Sequence, residues 1–252
     1  MTLSSSEWHQ RFKEQAEWTK DLRQHLFARA GLQEAKRILD AGCGTGALFG
    51  ELSLNTTAQV YGLDINRSHL ALAADFNPQV HLIEADAHQL PLPDNCLDIV
   101  LCHFFFLWVA DPERVVLELA RATRPGGSVL ALAEPDYGGR IDHPEVLQQL
   151  GRWQLQALSN QGADPLMGRR LPGLFHRAGY TEIEFGVLGG QWQTPRPESS
   201  WLTEWQILLS DLEELSISER EINAIKNIDA LAWKQGERVL FVPTFYAWGK
   251  KT

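Results

Sequence analysis

The sequence predicts an α/β fold in which a mostly parallel sheet of seven strands carries helices on both faces. From Lys36 onward, buried-strand patterns alternate with helix patterns, which implies right-handed crossovers between parallel strands. A glycine-rich turn follows the first strand, as expected where a strand leads directly into a helix. The length of 252 residues suits one domain with elaborations better than two complete domains.

The chain before Lys36 forms a prefix to this alternation. Large apolar residues recur there at three- and four-residue spacings, which predicts one or two amphipathic helices ending near Gly31. These residues are Trp8, Phe12, Trp18, Leu22, Leu26 and Phe27. We therefore assign residues 1–34 to an N-terminal helical prefix.

Five strands and three helices are predicted in the first half of the chain. The strands are residues 37–41, 59–63, 79–84, 97–102 and 128–133. Helices at 47–54 and 67–75 connect the first three strands. A third helix begins after Asp111, a good N-cap residue followed by proline, and runs to Thr123. The segment "RPGG", residues 124–127, then predicts a turn into the fifth strand.

In the second half of the chain, strand and helix patterns no longer alternate regularly. Residues 144–158 and 171–178 are predicted helices, and the last two strands are predicted at 181–188 and 239–248. Between these strands, residues 198–233 are mostly helical in pattern.

We expect one domain spanning residues 1–252. Its Rossmann-like core comprises residues 35–190 and 236–252, and residues 191–235 form a helical lid inserted before the last strand. Insertions in this position commonly cover an active site.

Composition narrows the classes of function. The formal net charge of −9 argues against a large nucleic-acid footprint, because phosphate binding depends mainly on Lys and Arg. The first residues lack the apolar segment of a secretory signal, and no apolar run is long enough to span a membrane. Three cysteines with neither a disulfide-scaffold count nor a zinc spacing favour a reducing cytoplasm and predict no metal site.

The stretch "ILDAGCGTGALFG", residues 38–50, carries Gly42, Gly44 and Gly46 after the first strand. Glycines at these positions let a ligand approach the backbone without Cβ atoms in the way. Asp64 ends the second strand, 22 residues after Gly42, where an acid accepts hydrogen bonds from ribose hydroxyls. The pattern suits a dinucleotide and S-adenosylmethionine alike, so the glycines alone leave the ligand open.

Four motifs in order resemble those of the class I S-adenosylmethionine-dependent methyltransferases, within the type 11-like group that methylates small molecules. They are "LDAGCGTG" (39–46), "GLDIN" (62–66), "EADAHQLPLPDNCLDIV" (84–100) and "CHFFFLWVADPERVVLELARATRPGGSVLALAEP" (102–135). The resemblance covers residues 37–135 and agrees more weakly beyond them. It implies a Rossmann-like sheet of seven strands and an enzyme that converts S-adenosyl-L-methionine to S-adenosyl-L-homocysteine.

The resemblance also implies a set of cofactor-binding residues. The glycines face the methionine part, Asp40 suits its ammonium group, and Asp64 and Asp86 receive the ribose and the adenine. The full predicted set is Asp40, Gly42, Cys43, Gly44, Gly46, Asp64, Ile65, Asp86, Ala87, His103 and Phe104. Solvated strand ends remain the alternative interpretation of Asp64 and Asp86, and core packing that of the aromatic residues.

No catalytic residue follows from the resemblance, because methyl transfer from a sulfonium needs a base only when the acceptor must lose a proton. The candidates are Tyr137, Asp136 and His143, in the segment that leaves the fifth strand. Tyr137 or His143 is expected to deprotonate or orient the acceptor, while Asp136 has a competing interpretation as a turn residue.

Tryptophans suggest the kind of acceptor. Five of them are candidates to roof an apolar pocket, with ordinary helix packing as the alternative: Trp8, Trp18, Trp192, Trp201 and Trp205. We therefore expect a small, partly apolar methyl acceptor and no nucleic acid. The sequence does not define the acceptor atom or the oligomeric state.

Two other functions remain open at this stage. One is an NAD(P)-dependent oxidoreductase that uses the same glycine loop, although no Tyr-x-x-x-Lys motif is present. The other is a non-catalytic module that binds S-adenosylmethionine without turnover.

Overall fold

A computed structural model describes residues 5–189, 198–213 and 215–252. The helices are α1 (Ser5–Trp18), α2 (Lys20–Ala30), α3 (Phe49–Asn55), α4 (Arg67–Phe76), α5 (Pro112–Ala122), α6 (Gln148–Asn160), α7 (Met167–Arg177), α8 (Glu198–Leu212) and α9 (Glu219–Gln235). The strands are β1 (Arg37–Ala41), β2 (Gln59–Asp64), β3 (His81–Glu84), β4 (Leu97–Cys102), β5 (Thr123–Pro135), β6 (Ile141–His143), β7 (Thr181–Leu188), β8 (Val239–Phe241) and β9 (Thr244–Lys250).

Seven strands form one sheet in the order β3-β2-β1-β4-β5-β9-β7. β9 pairs antiparallel with both of its neighbours, and the other pairings in the sheet are parallel. The predicted α/β class with a mostly parallel sheet of seven strands is therefore confirmed. The strand order reverses between β1 and β4, which is where ligands of open α/β sheets bind at the carboxyl edge.

Each face of the sheet is covered by a separate apolar cluster. Side chains of α5 and α7 pack on one face, and side chains of α2, α3 and α4 pack on the other. The strands between them are buried on both sides, which explains their almost continuous runs of Val, Ile and Leu. No helix in the described ranges is both long and apolar enough to cross a membrane.

The predicted prefix consists of two helices, and it is fastened to the core by buried polar contacts. Helix α2 ends at Gly31, whose φ of 73° is the left-handed conformation that glycine adopts readily. Arg23 is almost completely buried and donates to Glu51 of α3 and to the hydroxyl of Thr19. Thr19 in turn bonds the ring of His103 at 2.9 Å.

Several element bounds differ from the prediction: α6 begins at Gln148 rather than at residue 144, and α7 begins at Met167 rather than at residue 171. Three further differences have a local cause. Helix α3 begins at Phe49 rather than at residue 47, because residues 44–47 form turns around the glycines. The predicted "RPGG" turn lies inside β5, where the register between β4 and β5 shifts. The single predicted strand 239–248 is split at Pro243 into β8 and β9, because proline has no N–H to donate to a ladder.

A cap lies outside the seven-stranded sheet. Strands β6 and β8 pair with each other, and α6 packs with α8 and α9 around a third apolar cluster that contains Leu147, Leu150 and Trp205. The cap therefore includes residues 141–160, which the sequence assigned to the core. The predicted lid 191–235 corresponds to α8 and α9, apart from residues 191–197 and 214, which lie outside the described residues.

Candidate functional site

The glycine loop lies at the carboxyl ends of β1 and β2. Gly42, Gly44 and Gly46 have φ values of 73°, 52° and 77°, so each occupies backbone space that other residues enter only with strain. The N–H groups of Gly42 and Cys43 donate to the carbonyl of Leu63 at 2.7 and 3.0 Å. The loop is therefore fixed to the end of β2 by its own backbone.

Aromatic rings occupy the space that the glycines leave. A Cβ atom at Gly42 would overlap the ring of Phe105, and one at Gly46 would overlap Phe49. A Cβ atom at Gly44 would lie 3.4 Å from the ring of Phe12 in α1. Helix α1 thus covers the loop, and the bond of 2.9 Å between His9 Nδ1 and Thr45 Oγ1 holds it there.

Asp40 at the end of β1 is a buried carboxylate with 2% of its surface exposed. Its oxygens make no hydrogen bond to any residue in the described ranges. Burial, reinforced by the charge of Asp64, raises the pKa of Asp40 to about 8, and Arg23 opposes this only in part. Such a group is expensive to ionise without a cation, so its position beside the glycine loop favours a positively charged ligand.

Asp64 and Ile65 follow β2 on the same edge of the sheet. The Asp64 carboxylate accepts the N–H of Gly44 and the N–H of Asn66, each at 2.8 Å. These contacts tie the second strand end to the glycine loop and leave further lone pairs for hydroxyl groups. Ile65 is 73% exposed, and this bare apolar side chain suits a planar ring.

Asp86 and Ala87 lie after β3. Asp86 Oδ1 accepts the backbone N–H of His88 at 2.8 Å and contacts His88 Nδ1 at 2.6 Å. These bonds lower the pKa of Asp86, so that the exposed carboxylate remains charged. The other oxygen, Oδ2, is available to a ligand, and Ala87 is buried in the core.

His103 and Phe104 lie where β4 ends. Burial and the nearby charge of Arg23 lower the pKa of His103 to about 3, so its ring stays neutral. Its bond to Thr19 joins the prefix to the core. Phe104 has a φ of 52° and donates its N–H to the carbonyl of Ala133.

The structure separates the three catalytic candidates. Asp136 is buried, forms a bidentate ion pair with Arg169 and caps the turn at Gly139, and these contacts suit a supporting role. His143 is exposed on β6. Tyr137 is half-buried, and its hydroxyl makes no hydrogen bond within the described part of the chain.

The surroundings of Tyr137 include residues that the sequence did not indicate. Burial raises the pKa of Tyr137 to about 12, with Asp211 of α8 adding to this effect and Arg140 and Arg11 opposing it. Asp211 accepts a hydrogen bond from Gln154 at 3.2 Å, and burial raises its pKa. Asp211 lies in a helix without a recognisable motif, so its proximity to Tyr137 is evident only from the fold.

The tryptophans predicted to cover one pocket lie in separate parts of the molecule. Trp201 and Trp205 donate their indole N–H groups to Asp229 inside the cap, at 2.6 and 2.9 Å. The ring of Trp8 contacts that of Phe12 of α1 at a tilt, and Trp18 is exposed beneath Arg11. Trp192 lies outside the described residues.

Within the described residues, no group of three or more His, Cys, Asp and Glu side chains is placed to hold a metal ion. Burial raises the pKa of the Cys43 thiol well above its usual value. The sulfur therefore behaves as a small packing group beside the loop.

Comparison with known proteins agrees with this geometry. A family model described as "Methyltransferase domain" matches residues 39–131. Trans-aconitate 2-methyltransferase from Variovorax paradoxus is 37% identical over 186 residues, which cover 72% of this chain and 71% of that protein. Malonyl-[acyl-carrier protein] O-methyltransferase from Pectobacterium atrosepticum is 36% identical over 123 residues, covering 49% of this chain but only 46% of that protein.

Among solved structures, the [4+2]-cyclase SpnF has a similar fold. Its TM-score is 0.59 at 20% identity, and the match covers 92% of this chain and 80% of that chain. That name records an activity other than methyl transfer, so the shared fold does not by itself define the reaction. The family rests instead on the sequence relatives: this chain belongs to the class I S-adenosylmethionine-dependent methyltransferases.

Proposed function

We propose that this protein transfers a methyl group from S-adenosylmethionine to a small, partly apolar organic acceptor. The observation that carries the proposal is Asp40, a buried carboxylate beside the glycine loop that has no hydrogen-bonding partner in the described ranges. The ammonium group of the cofactor supplies the cation that this carboxylate lacks. The residues present therefore fit the family's cofactor.

Three residues and the glycine loop are the proposed contacts for the rest of the cofactor. Asp64 receives the ribose hydroxyls, Ile65 covers one face of the adenine, and Asp86 Oδ2 accepts from the adenine amino group. The glycine loop lets the methionine part approach the backbone. When bound, the cofactor supplies a sulfonium methyl group, which is transferred as the carbon–sulfur bond breaks.

The protein's part in the reaction is to hold the acceptor in line with this bond and to exclude water. The high pKa keeps the Tyr137 phenol protonated, so it orients the acceptor as a hydrogen-bond donor. Asp211 is the better base, because burial raises its pKa even though the amide of Gln154 and the charge of Arg11 oppose this. Where the acceptor loses a proton, that proton passes to Asp211.

The class of acceptor stays broad. The two relatives are named for trans-aconitate and for a malonyl group on a carrier protein, which are different acceptors. The net charge of −9 favours a small molecule over a nucleic acid. The three cysteines are free, which suits the proposed cytoplasmic location.

The alternative ligand, NAD(P), fits the site less well. A dinucleotide places its negatively charged pyrophosphate at the glycine loop and offers no cation there to stabilise the ionised form of Asp40. Helix α3 has only seven residues and begins three positions after Gly46, so it adds little to anion binding. Both features favour the cationic cofactor.

Calorimetric titration with S-adenosylmethionine, S-adenosylhomocysteine and NAD tests the cofactor. We expect micromolar binding of the first two, none of NAD, and weaker binding in Asp64→Ala. Glu145 is exposed and remote from the loop, so Glu145→Gln serves as a control substitution that should bind the cofactor like the wild type. Binding of NAD alone would overturn the proposal.

Turnover is tested by the formation of S-adenosylhomocysteine with panels of small carboxylates, alcohols, phenols and amines. With an acceptor that is turned over, Tyr137→Phe and Asp211→Asn are expected to lower kcat while the cofactor Kd stays the same. Binding without turnover across all panels would support the non-catalytic module instead.

A further inference from the structure

The aromatic turn, residues 104–108, leaves β4 at the edge of the sheet that carries the glycine loop. Glu134 of β5 is completely buried beneath it and accepts three successive backbone N–H groups. They are those of Phe105 at 2.9 Å, Phe106 at 2.8 Å and Leu107 at 3.1 Å. One buried side chain thus holds three of the five residues of the turn.

Burying the Glu134 carboxyl group lowers the free energy of unfolding. Burial raises the pKa of Glu134 to about 7 even though three N–H donors favour its charged form. No arginine, lysine or histidine in the described ranges bonds its carboxylate. An apolar side chain at position 134 would fill the strand end without this cost, so the distinctive effect of the glutamate is to fix the turn.

The fixed turn places one ring against the glycine loop. Phe104 holds an αL backbone conformation with a φ of 52°, and the next ring, that of Phe105, lies where a Cβ of Gly42 would be. Phe106 is completely buried and contacts the ring of Phe105 with centroids 5.3 Å apart. The ring of Phe105 is therefore part of a rigid wall, because a swinging gate would need a turn with fewer fixed backbone bonds.

We propose that Glu134 is a positioning residue of the cofactor site, which holds Phe105 as an aromatic wall for the cationic methionine end of the ligand. Gly42, on which the ring lies, is two residues from Asp40, so a carboxylate and an aromatic face stand at the same end of the loop. Cations are attracted to both kinds of group. The inference rests on the proposed function for the identity of the ligand.

A double-mutant cycle on S-adenosylmethionine affinity, measured without an acceptor, tests whether Glu134 acts through Phe105. Glu134→Gln and Phe105→Leu are each expected to weaken binding about tenfold, and the double variant also about tenfold, because the two residues act as one unit. Glu145→Gln and Phe185→Leu are matched controls: both residues are exposed and remote from the loop, and their affinities should equal that of the wild type.

Three results would overturn the inference. They are unchanged affinity in Glu134→Gln, tighter binding in Phe105→Leu, and losses that multiply to about a hundredfold in the double variant. If Glu134→Gln does not fold, Phe105→Leu alone decides: the tenfold loss must occur while hydrogen exchange shows the amides of residues 105–107 still protected. A wild-type protein that binds neither S-adenosylmethionine nor S-adenosylhomocysteine refutes the proposed function and this inference together, whereas binding without turnover leaves this inference standing.

Discussion

The buried acids of the glycine-loop edge and those of the cap have opposite surroundings. In the cap, Asp142 is bonded by both Arg140 and Arg238, and Asp229 is bonded by Arg238 and two tryptophans. At the glycine-loop edge, Asp40 has no hydrogen bond within the described residues and Glu134 has only backbone donors. Charge is balanced inside the cap and left unbalanced at the loop.

The difference separates acids that already have partners from Asp40, for which we propose a ligand as the partner; Glu134 is satisfied by backbone N–H groups and supports the aromatic turn. A buried carboxylate with arginine partners is already satisfied, and it serves to hold elements together. A buried carboxylate without a cation has a raised pKa and gains most when a cation arrives. The contrast therefore supports the proposed binding of the cationic cofactor at this end of the sheet.

The largest effect is expected where the cap's charge balance is broken. Asp142→Asn leaves Arg140 and Arg238 buried with one acid fewer, so we expect a loss of about 3–5 kcal/mol in the free energy of unfolding. Urea unfolding measures this loss, with Asp75→Asn on the exposed surface of α4 as the control. An Asp142→Asn protein as stable as the wild type would show that the cap does not depend on this balance.

At the loop, removing an acid should affect binding rather than stability. Asp40→Asn is expected to cost about 1.5–3 kcal/mol of cofactor binding, or about ten- to a hundredfold in Kd, because a charged hydrogen bond is lost. The melting temperature of the free protein should stay the same or rise, since Asp40 makes no hydrogen bond within the described residues that the substitution could break. Calorimetry and thermal melting check both; a large loss of stability would make Asp40 a structural acid like those of the cap.

The dependence of stability on pH should report the unbalanced acids. The pKa of Asp40 is raised from 3.8 to about 8 and that of Glu134 from 4.5 to about 7. The folded protein therefore holds protons that the unfolded chain releases, so this part of its stability falls as pH rises from about 5 and stops falling above the folded pKa values of about 7 and about 8. The slope is at most about 1.4 kcal/mol per pH unit for each group.

Urea unfolding of the ligand-free protein between pH 6.5 and 8.5 measures this slope. His103, whose pKa falls from 6.5 to about 3 on folding, gives an opposite slope below about pH 7, and the buried thiols, whose pKa is raised from 9.0, add to the fall near the upper end of the range. The difference between the wild type and Asp40→Asn therefore isolates the contribution of Asp40. Asp40→Asn should remove its share of the slope. Stability that is constant or rises with pH across the range would contradict the expected behaviour of both acids.

The smallest effect is expected at the exposed acid of the loop edge. Asp86→Ala removes one acceptor for the adenine, so we expect a loss of about 1 kcal/mol, or roughly fivefold in cofactor affinity. A parallel titration with His88→Ala, which leaves the carboxylate in place, separates ligand binding from the support of the turn. Equal losses in the two variants would assign Asp86 to the turn.

The fold could be predicted from the sequence because its signals are local. Alternating strand and helix patterns, Asp111 before Pro112 and the glycine at position 31 each act over a few residues, and the structure has those elements. The split of the last strand was missed because the pairing of β8 with β6 joins residues far apart in the chain. Pro243 was the one local signal of that break.

The site could be predicted only where a motif records it. Asp40, Asp64 and the glycines belong to sequence motifs at the ends of two predicted parallel strands. Their position at one edge of the sheet could therefore be predicted. Glu134, Phe105 and Asp211 take their importance from contacts across the fold, as when Glu134 bonds a turn 27 to 29 residues earlier. No spacing along the sequence reports such contacts.

Arg23 makes the first two helices inseparable from the rest of the molecule. A chain that lacks α1 and α2 would leave Glu51 without its arginine partner. It would also expose the apolar surface that Leu26 and Phe27 cover. Such a protein would be expected to aggregate, and it would also lose the helix that rests on Gly44. Fusions are therefore better joined after β9 or in exposed loops, while β9 itself must stay intact because it lies inside the sheet.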